Sequence, residues 1–237
     1  MALGTALSAA TEISSTAGVQ YLTFTTAGKA AVQTVLDAGG KLTVCLMSSY
    51  LDYNNNAPVQ DGDFTRIYLR YMEYSAGTST HEPRLLVDDG GAIATIYAEE
   101  SGNDDDALLR YVDSGDGSIA WSTVRGDETT SGTVRTDTSL HNYVAIYSIK
   151  NSGRGGAVVT DNARSYFVFD LSGISGATAD TVQFSVYMDS YSSDTVHANI
   201  IAVQATALAG TTADYGNCFV ADAAAVADNA TFFGANF

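Results

Sequence analysis

Nucleophilic hydrolysis needs a serine or cysteine beside a histidine and an acid. The chain carries three histidines, His81, His141 and His197. None stands in a partner motif, and there is no G-x-S-x-G turn, so all three read as surface or loop residues. Zinc needs clustered His and Cys, and none cluster here. No P-loop is present, and no G-x-G-x-x-G opens a helix. Cys45 sits in an apolar run (LTVCLM) and Cys218 in a loop-like run (DYGNCF). They read as two small buried hydrophobes, with a disulfide, within one chain or between two, as the alternative.

Paired carboxylates could serve a glycosidase. Glu99, Glu100, Asp104, Asp105 and Asp106 form the densest acidic cluster, but adjacent loop acids ordinarily make a solvated face. Calcium takes six to eight oxygen ligands from such loops. The candidates are Asp104, Asp105 and Asp106; Asp52 and Asn54 with Asn56 and Asp61; and Asp113 with Asp116. None matches D-x-D-x-D-G, and Asn and Asp also simply make turns. The expectation is therefore no cofactor, with calcium as the one ion these loops could hold. A sugar-binding surface would need exposed aromatics as stacking platforms. The lone Trp121 and the cluster Tyr50, Tyr53, Tyr68, Tyr71 and Tyr74 are the candidates, although strand tyrosines more often serve packing or interfaces.

Composition limits these readings further. The 237 residues fit one large β domain or two small ones, and 46% are hydrophobic, enough for a core. Charged residues are 16%, against roughly 25% in ordinary soluble proteins. The polar content is Ser, Thr, Asn, Asp and Gly, which favour turns and strand surfaces; 14 Tyr add to the strand bias. A net charge of −16 with three Lys repels phosphate, so nucleic acid is not an expected partner. The start, MALGTALSAATEISS, has neither the basic n-region nor the apolar h-region of a secretory signal. No apolar run reaches the length of a membrane span.

The elements that must position these residues are short. Residues 1–20 read as an extended arm, and Tyr21–Thr25 alternates like a strand. Thr26 is the expected N-cap of one helix whose face is Ala31, Val32, Val35 and Leu36, stopped by Gly39 and Gly40. Lys41–Met47 reads as a buried strand and Asp52–Asp63 as a loop. Strands follow at Arg66–Tyr74, Leu85–Val87, Ile93–Ala98, Leu108–Val112, Ile119–Val124, Tyr143–Ile149 and Tyr166–Leu171. Val182, Phe184, Val186 and Met188 then alternate with polar neighbours, and His197–Val203 closes the series. Many short strands with a turn signal every 8–12 residues predict an all-β, jelly-roll-like antiparallel sandwich with one short helix.

The stretch RSYFVFDLSGISGATADTVQFSVYM resembles the DNRLRE-type (disaggregatase-related) β-sandwich domain. The resemblance rests on Arg164, Phe169, Asp170, Ser172, Ile174, Ala177 and Val182, and on the upstream AWSTVRGDETTSGTV, which is similar to versions from tailed phages. Pieces that usually follow this stretch stand before it here: AGKAAVQTVL, LTVCLMSSYLDYNNNAP and HEPRLLVDD. Residues 1–91 thus look like an arm plus the second half of the domain, and 92–237 like the first half; together they make one domain in permuted order. Such a chain either closes on itself or completes a neighbour by strand or domain exchange.

Within the structural motif, a carboxylate at Asp170 can accept backbone N–H bonds and fix the turn. Arg164 either pairs with a carboxylate or flanks the strand. The combined expectation is a non-enzymatic structural subunit, found in a virion or outside the cell after release. Its partners would be copies of itself, other virion proteins or surface glycans, with neither nucleic acid nor membrane. The alternative is a carbohydrate-binding or adhesion module.

Overall fold

The computed structural model describes residues 2–12, 16–57, 65–66, 82–98, 107–113, 120–126, 132–135, 145–150, 158–174, 176–188, 192–193, 199–207 and 218–220. The first half of the chain supplies β1 (Ala2–Leu3), β2 (Thr11–Glu12), β3 (Gly18–Thr23), helix α1 (Thr26–Ala38), β4 (Lys41–Ser48), β5 (Thr65–Arg66) and β6 (Arg84–Asp88). The second half supplies β7 (Ile93–Tyr97), β8 (Ala107–Asp113), helix α2 (Trp121–Gly126), β9 (Gly132–Arg135), β10 (Ala145–Lys150), β11 (Val158–Asp170), β12 (Thr181–Met188), β13 (Ser192–Ser193), β14 (Asn199–Ala205) and β15 (Phe219–Val220).

Two sheets carry the fold, and their strand pairs are antiparallel. The larger runs β2-β14-β4-β11-β8-β9, with β10 also on β11; the smaller runs β3-β12-β6-β7. The thirteen residues of β11 make this possible. One edge takes β10 over Val158–Ala163 and β4 over Ser165–Asp170, while the other takes β8 over Thr160–Tyr166. The all-β sandwich expected from the sequence is the observed architecture.

The core lies between the sheets. Leu42, Val44, Leu46, Phe167, Phe169, Ile200 and Ala202 of the larger sheet meet Leu22, Val182, Phe184, Val186, Leu85 and Val87 of the smaller. Phe184 stands 5.0 Å from Phe167 and 5.6 Å from Phe169, centroid to centroid, the latter edge-on, the geometry aromatic quadrupoles favour. The larger sheet is also covered on its other face. There Cys45, Met47, Tyr166, Val168, Ile201 and Val203 pack under Leu3, Ala6, Tyr53, Val124 and Cys218. That is why β4 is a continuous apolar run: both of its faces are buried, as in strands sandwiched between two layers. By contrast, β12 buries Val182, Phe184, Val186 and Met188 on one face and leaves Gln183 and Tyr187 half-exposed on the other, where Ser185 between them is buried under Arg84.

Each described strand of the first half pairs with strands of the second half: β1 with β15, β2 with β14, β3 and β6 with β12, β4 with β11 and β14, β5 with β13. None pairs with another first-half strand, a single Ser8–Phe24 bridge aside. The strands of residues 1–91 and those of residues 92–237 therefore pair with one another to build both sheets.

Three local expectations are corrected. The N-cap of α1 is Thr25, not Thr26: its Oγ1 accepts from Gly28 N at 3.0 Å and its backbone is extended. Gly39 ends the helix in the left-handed region, φ 61°. Ile119–Val124 was expected to be a strand, but Trp121–Gly126 is helical, so the fold has a second short helix. The Ala120 carbonyl accepts from Thr123 N and Val124 N, and a run this short fits either period. Of Asp52–Asp63, expected as a loop, Asp52 and Tyr53 instead end a buried π-helical turn, Ser49–Tyr53, while residues 54–57 are non-helical as expected and residues 58–63 lie outside the described residues. Of Arg66–Tyr74, only Arg66 lies within the described residues.

The arm is seated by one close approach. Leu7 donates to the Ala202 carbonyl at 2.8 Å, accepts from Thr25 N at 2.8 Å, and is fully buried. It touches the helix at Gly28, where an added Cβ would stand 2.1 Å from the Leu7 carbonyl oxygen. Helix propensity alone makes Gly→Ala stabilising by about 1 kcal/mol. Here the sign reverses: Gly28→Ala is expected to destabilise the protein by about 2 kcal/mol in urea denaturation, an overpacking cost.

Candidate functional site

An arginine and an aspartate, each with a fully buried side chain, meet on the second face of the larger sheet. Arg164 lies on β11, on the same face as Tyr166 and Val168, since side chains alternate along a strand. Asp52 comes from the π-helical turn after β4. Ser48 Oγ caps that turn by accepting from Leu51 N at 3.2 Å. Asn54 N and Asn56 N close it by bonding the Ser49 and Leu51 carbonyls at 3.1 and 2.9 Å, and Asn55 takes a φ of 57°. Asparagine tolerates that left-handed backbone better than other non-glycine residues, which is how the Asn54–Asn56 run turns the chain and leaves Asp52 inside.

The contact is a bidentate fork. Arg164 Nε donates to Asp52 Oδ2 at 2.6 Å and Nη2 to Oδ1 at 2.8 Å; both side chains are 0% exposed. Asn162 Nδ2 donates to Oδ2 at 3.2 Å. Arg125, at the end of α2, places Nε 3.4 Å from Oδ1 and donates to the backbone carbonyls of Asp52 and Tyr53. Arg164 Nη2 returns a bond to the Arg125 carbonyl at 2.6 Å. Planar guanidinium matched to planar carboxylate is the strongest such pairing. Both Asp52 oxygens are engaged, so this node holds three segments together.

Beside it lies a row of neighbours across three strands: Val203 of β14, Cys45 of β4 and Tyr166 of β11. Cys218 covers the row, and both cysteines are buried. Burial, then Cys218, pushes the Cys45 thiol and the Tyr166 hydroxyl well up.

The remaining site residues are dispersed. Asp170 Oδ1 accepts from Ser172 N at 2.9 Å, the turn-fixing role its position implied, and Phe169 is buried in the core. Arg164 takes the pairing alternative. For calcium, Asp52 is turned inward to Arg164 while Asn54 is exposed, so the two do not form a ligand set. Asp104, Asp105 and Asp106 lie outside the described residues. Among those described, no group of three His, Cys, Asp or Glu side chains is placed to hold a metal ion. Of the candidate aromatics, Tyr53 is buried, Trp121 is half-buried against the same cluster, and Tyr50 is 43% exposed; Tyr71 and the three histidines lie outside the described residues. Sequence reasoning missed the Asp52–Arg164 pair. Its signal was an arginine inside an otherwise apolar strand (ARSYFVF), which a buried carboxylate must answer.

Comparison of the chain with known protein families, curated proteins and solved structures finds no match.

Removing one partner of the pair leaves a buried charge alone. Arg164→Met is expected to cost about 3–5 kcal/mol in urea denaturation. Adding Asp52→Leu should recover a large part of it, because no charge is then stranded; a double variant as unstable as the sum of the singles contradicts the pairing. A second expectation concerns pH. The Ser172 hydroxyl and then its backbone N–H hold the Asp170 carboxyl below its ordinary value of 3.8. A depressed folded pKa contributes stability above the unfolded value that is lost as pH falls through the folded one. The Tm difference between wild type and Asp170→Asn should therefore shrink below pH 3.8.

Proposed function

We propose that the protein is a non-catalytic structural subunit that assembles with copies of itself into a virion component or an extracellular filament or tube. The observation that carries this is the condition of the smaller sheet's two edge strands. Among the described residues β7, paired with β6, and β3, paired with β12, are the two end strands of the smaller sheet. An unpaired edge is a template for another chain, and natural monomers blunt it with charge, proline or a bulge. β7 reads IATIY and β3 reads GVQYLT, with no charge and no proline in either. Ile93 is 66% exposed, Tyr97 40% and Tyr21 47%.

The charge pattern favours contact at these edges. The chain carries −16 overall, so most approaches between copies are repulsive. β7 is flanked by Asp88 and Asp89 before it and Glu99 and Glu100 after it, which leaves five uncharged residues as the place where two copies can meet. Joining β7 of one copy to β3 of the next extends the smaller sheet by four strands per subunit. Such a head-to-tail contact uses two different surfaces, and it propagates unless the rotation closes. The N-terminal arm, seated on its own β14 through Leu7, favours strand addition at the edges over exchange of the arm.

Sedimentation velocity and negative-stain electron microscopy over a concentration series test this. Wild type is expected to grow into regular assemblies as concentration and salt rise, salt screening the net repulsion. Ile93→Lys with Thr95→Lys, both exposed positions, should raise the concentration needed by at least about tenfold; Thr34→Lys on the exposed side of α1 should not. A wild type that stays monomeric at every concentration and salt level contradicts the proposal.

A further inference from the structure

Cys45 and Cys218, distant in sequence, are brought together by the closing of the two halves. Cys45 stands at the middle of β4, flanked by Val203 and Tyr166. Cys218, the residue just before β15, lies above this row. It is held there by the arm: Gly4 N donates to the Cys218 carbonyl at 2.7 Å, while Gln204 N donates to the Thr5 carbonyl at 2.8 Å. Gly4 has no room for a side chain, since a Cβ would stand 2.1 Å from the Gln204 carbonyl oxygen and 3.5 Å from that of Cys218. The arm therefore threads between β14 and Cys218 as a thin layer. Beneath it Cys45, Tyr166 and Cys218 pack together in one buried cluster, close enough that Cys218 shifts the ionisation of the other two and they shift its own.

We propose that Cys45 and Cys218 are a disulfide-forming pair, closed by a small-molecule disulfide once the protein meets an oxidising environment, and that the bond locks the arm and the β15 segment onto the larger sheet. In the first step one cysteine thiolate attacks the small disulfide, RSSR, giving a protein mixed disulfide and one thiolate RS⁻. The second cysteine, losing its proton, attacks the protein sulfur of that mixed disulfide and expels the second RS⁻. Two protein S–H bonds are replaced by one S–S bond, and RSSR is reduced to two RSH.

The surroundings assign the order of attack. Cys218 directly precedes β15, a two-residue strand paired to the two residues of β1. Opening that pair uncovers Cys218, whereas uncovering Cys45 means breaking the centre of the larger sheet. Burial raises the Cys218 thiol, but the bond from Cys45, the Arg164 charge and the Tyr166 hydroxyl outweigh it and leave the thiol lowered. A thiol that ionises more readily attacks first.

The test uses the full chain, reduced with dithiothreitol and then exchanged into oxidised glutathione. Thiols are counted under denaturing conditions, and linked peptides are mapped by mass spectrometry. Oxidation should remove both thiols, link the peptides that contain Cys45 and Cys218 within one chain, and raise Tm by about 10 °C, since the closed loop is long. Cys218→Ala should abolish the oxidant-dependent Tm shift while folding with a reduced-state Tm near wild type. Two thiols still titrating after oxidation, chains linked to one another, or a Tm shift that persists in Cys218→Ala would each overturn the proposal. None of these readouts depends on self-assembly, so the two readings fail separately.

Discussion

Burying the Arg164 guanidinium in the middle of β11 obliges the chain to bring a carboxylate to it, because an uncompensated charge in this interior costs several kcal/mol. Asp52, far away in sequence, is that carboxylate, and its two oxygens receive both arms of the fork. The pair therefore joins one half of the chain to the other. Arg125 and Asn162 fasten the same carboxylate, which draws α2 over the sheet and completes the cover of its second face. Replacement of such a pair by apolar residues is often neutral for stability. What the pair supplies here is register: Asp52 can reach Arg164 only if β4 and β11 are aligned as Leu46 with Ser165 and Cys45 with Tyr166.

That alignment sets the rest. With β4 fixed between β11 and β14, the two buried faces of the larger sheet are assigned, one to Leu42, Val44 and Leu46, the other to Cys45 and Met47. A slip of one residue would exchange the two sets. First-half strands find their partners in the second half, so neither half can satisfy its backbone alone. The chain folds by long-range pairing, the slow class of topology.

Much of this architecture was legible in the sequence. Period-two alternation placed β12, continuous apolar runs placed β4 and the end of β11, and the paired glycines after α1 marked its end. The turn role of Asp170 followed from its position after an aromatic strand. The failures share one cause, in that they depend on contacts distant in sequence. Asp52 sits in an Asn-rich stretch with the composition of a loop, and only Arg164 distinguishes a buried turn from a solvated one. Trp121–Gly126 fits a strand period as well as a helix until the sheet beneath it is known. Cys45 and Cys218 could not be paired from spacing, since the closing of the halves alone brings them together.

Completion of the smaller sheet by another copy of the chain, as proposed above, would place the Ile93–Tyr97 edge inside an interface. Amide hydrogen exchange of the Ile93–Tyr97 segment, followed by mass spectrometry on wild-type protein at low and high concentration, addresses it most directly. Protection of this segment that rises with concentration, while β4 and β11 stay equally protected at both, is the predicted result. Exchange in β7 that is the same at every concentration would mean that no second chain pairs there, and would contradict the account.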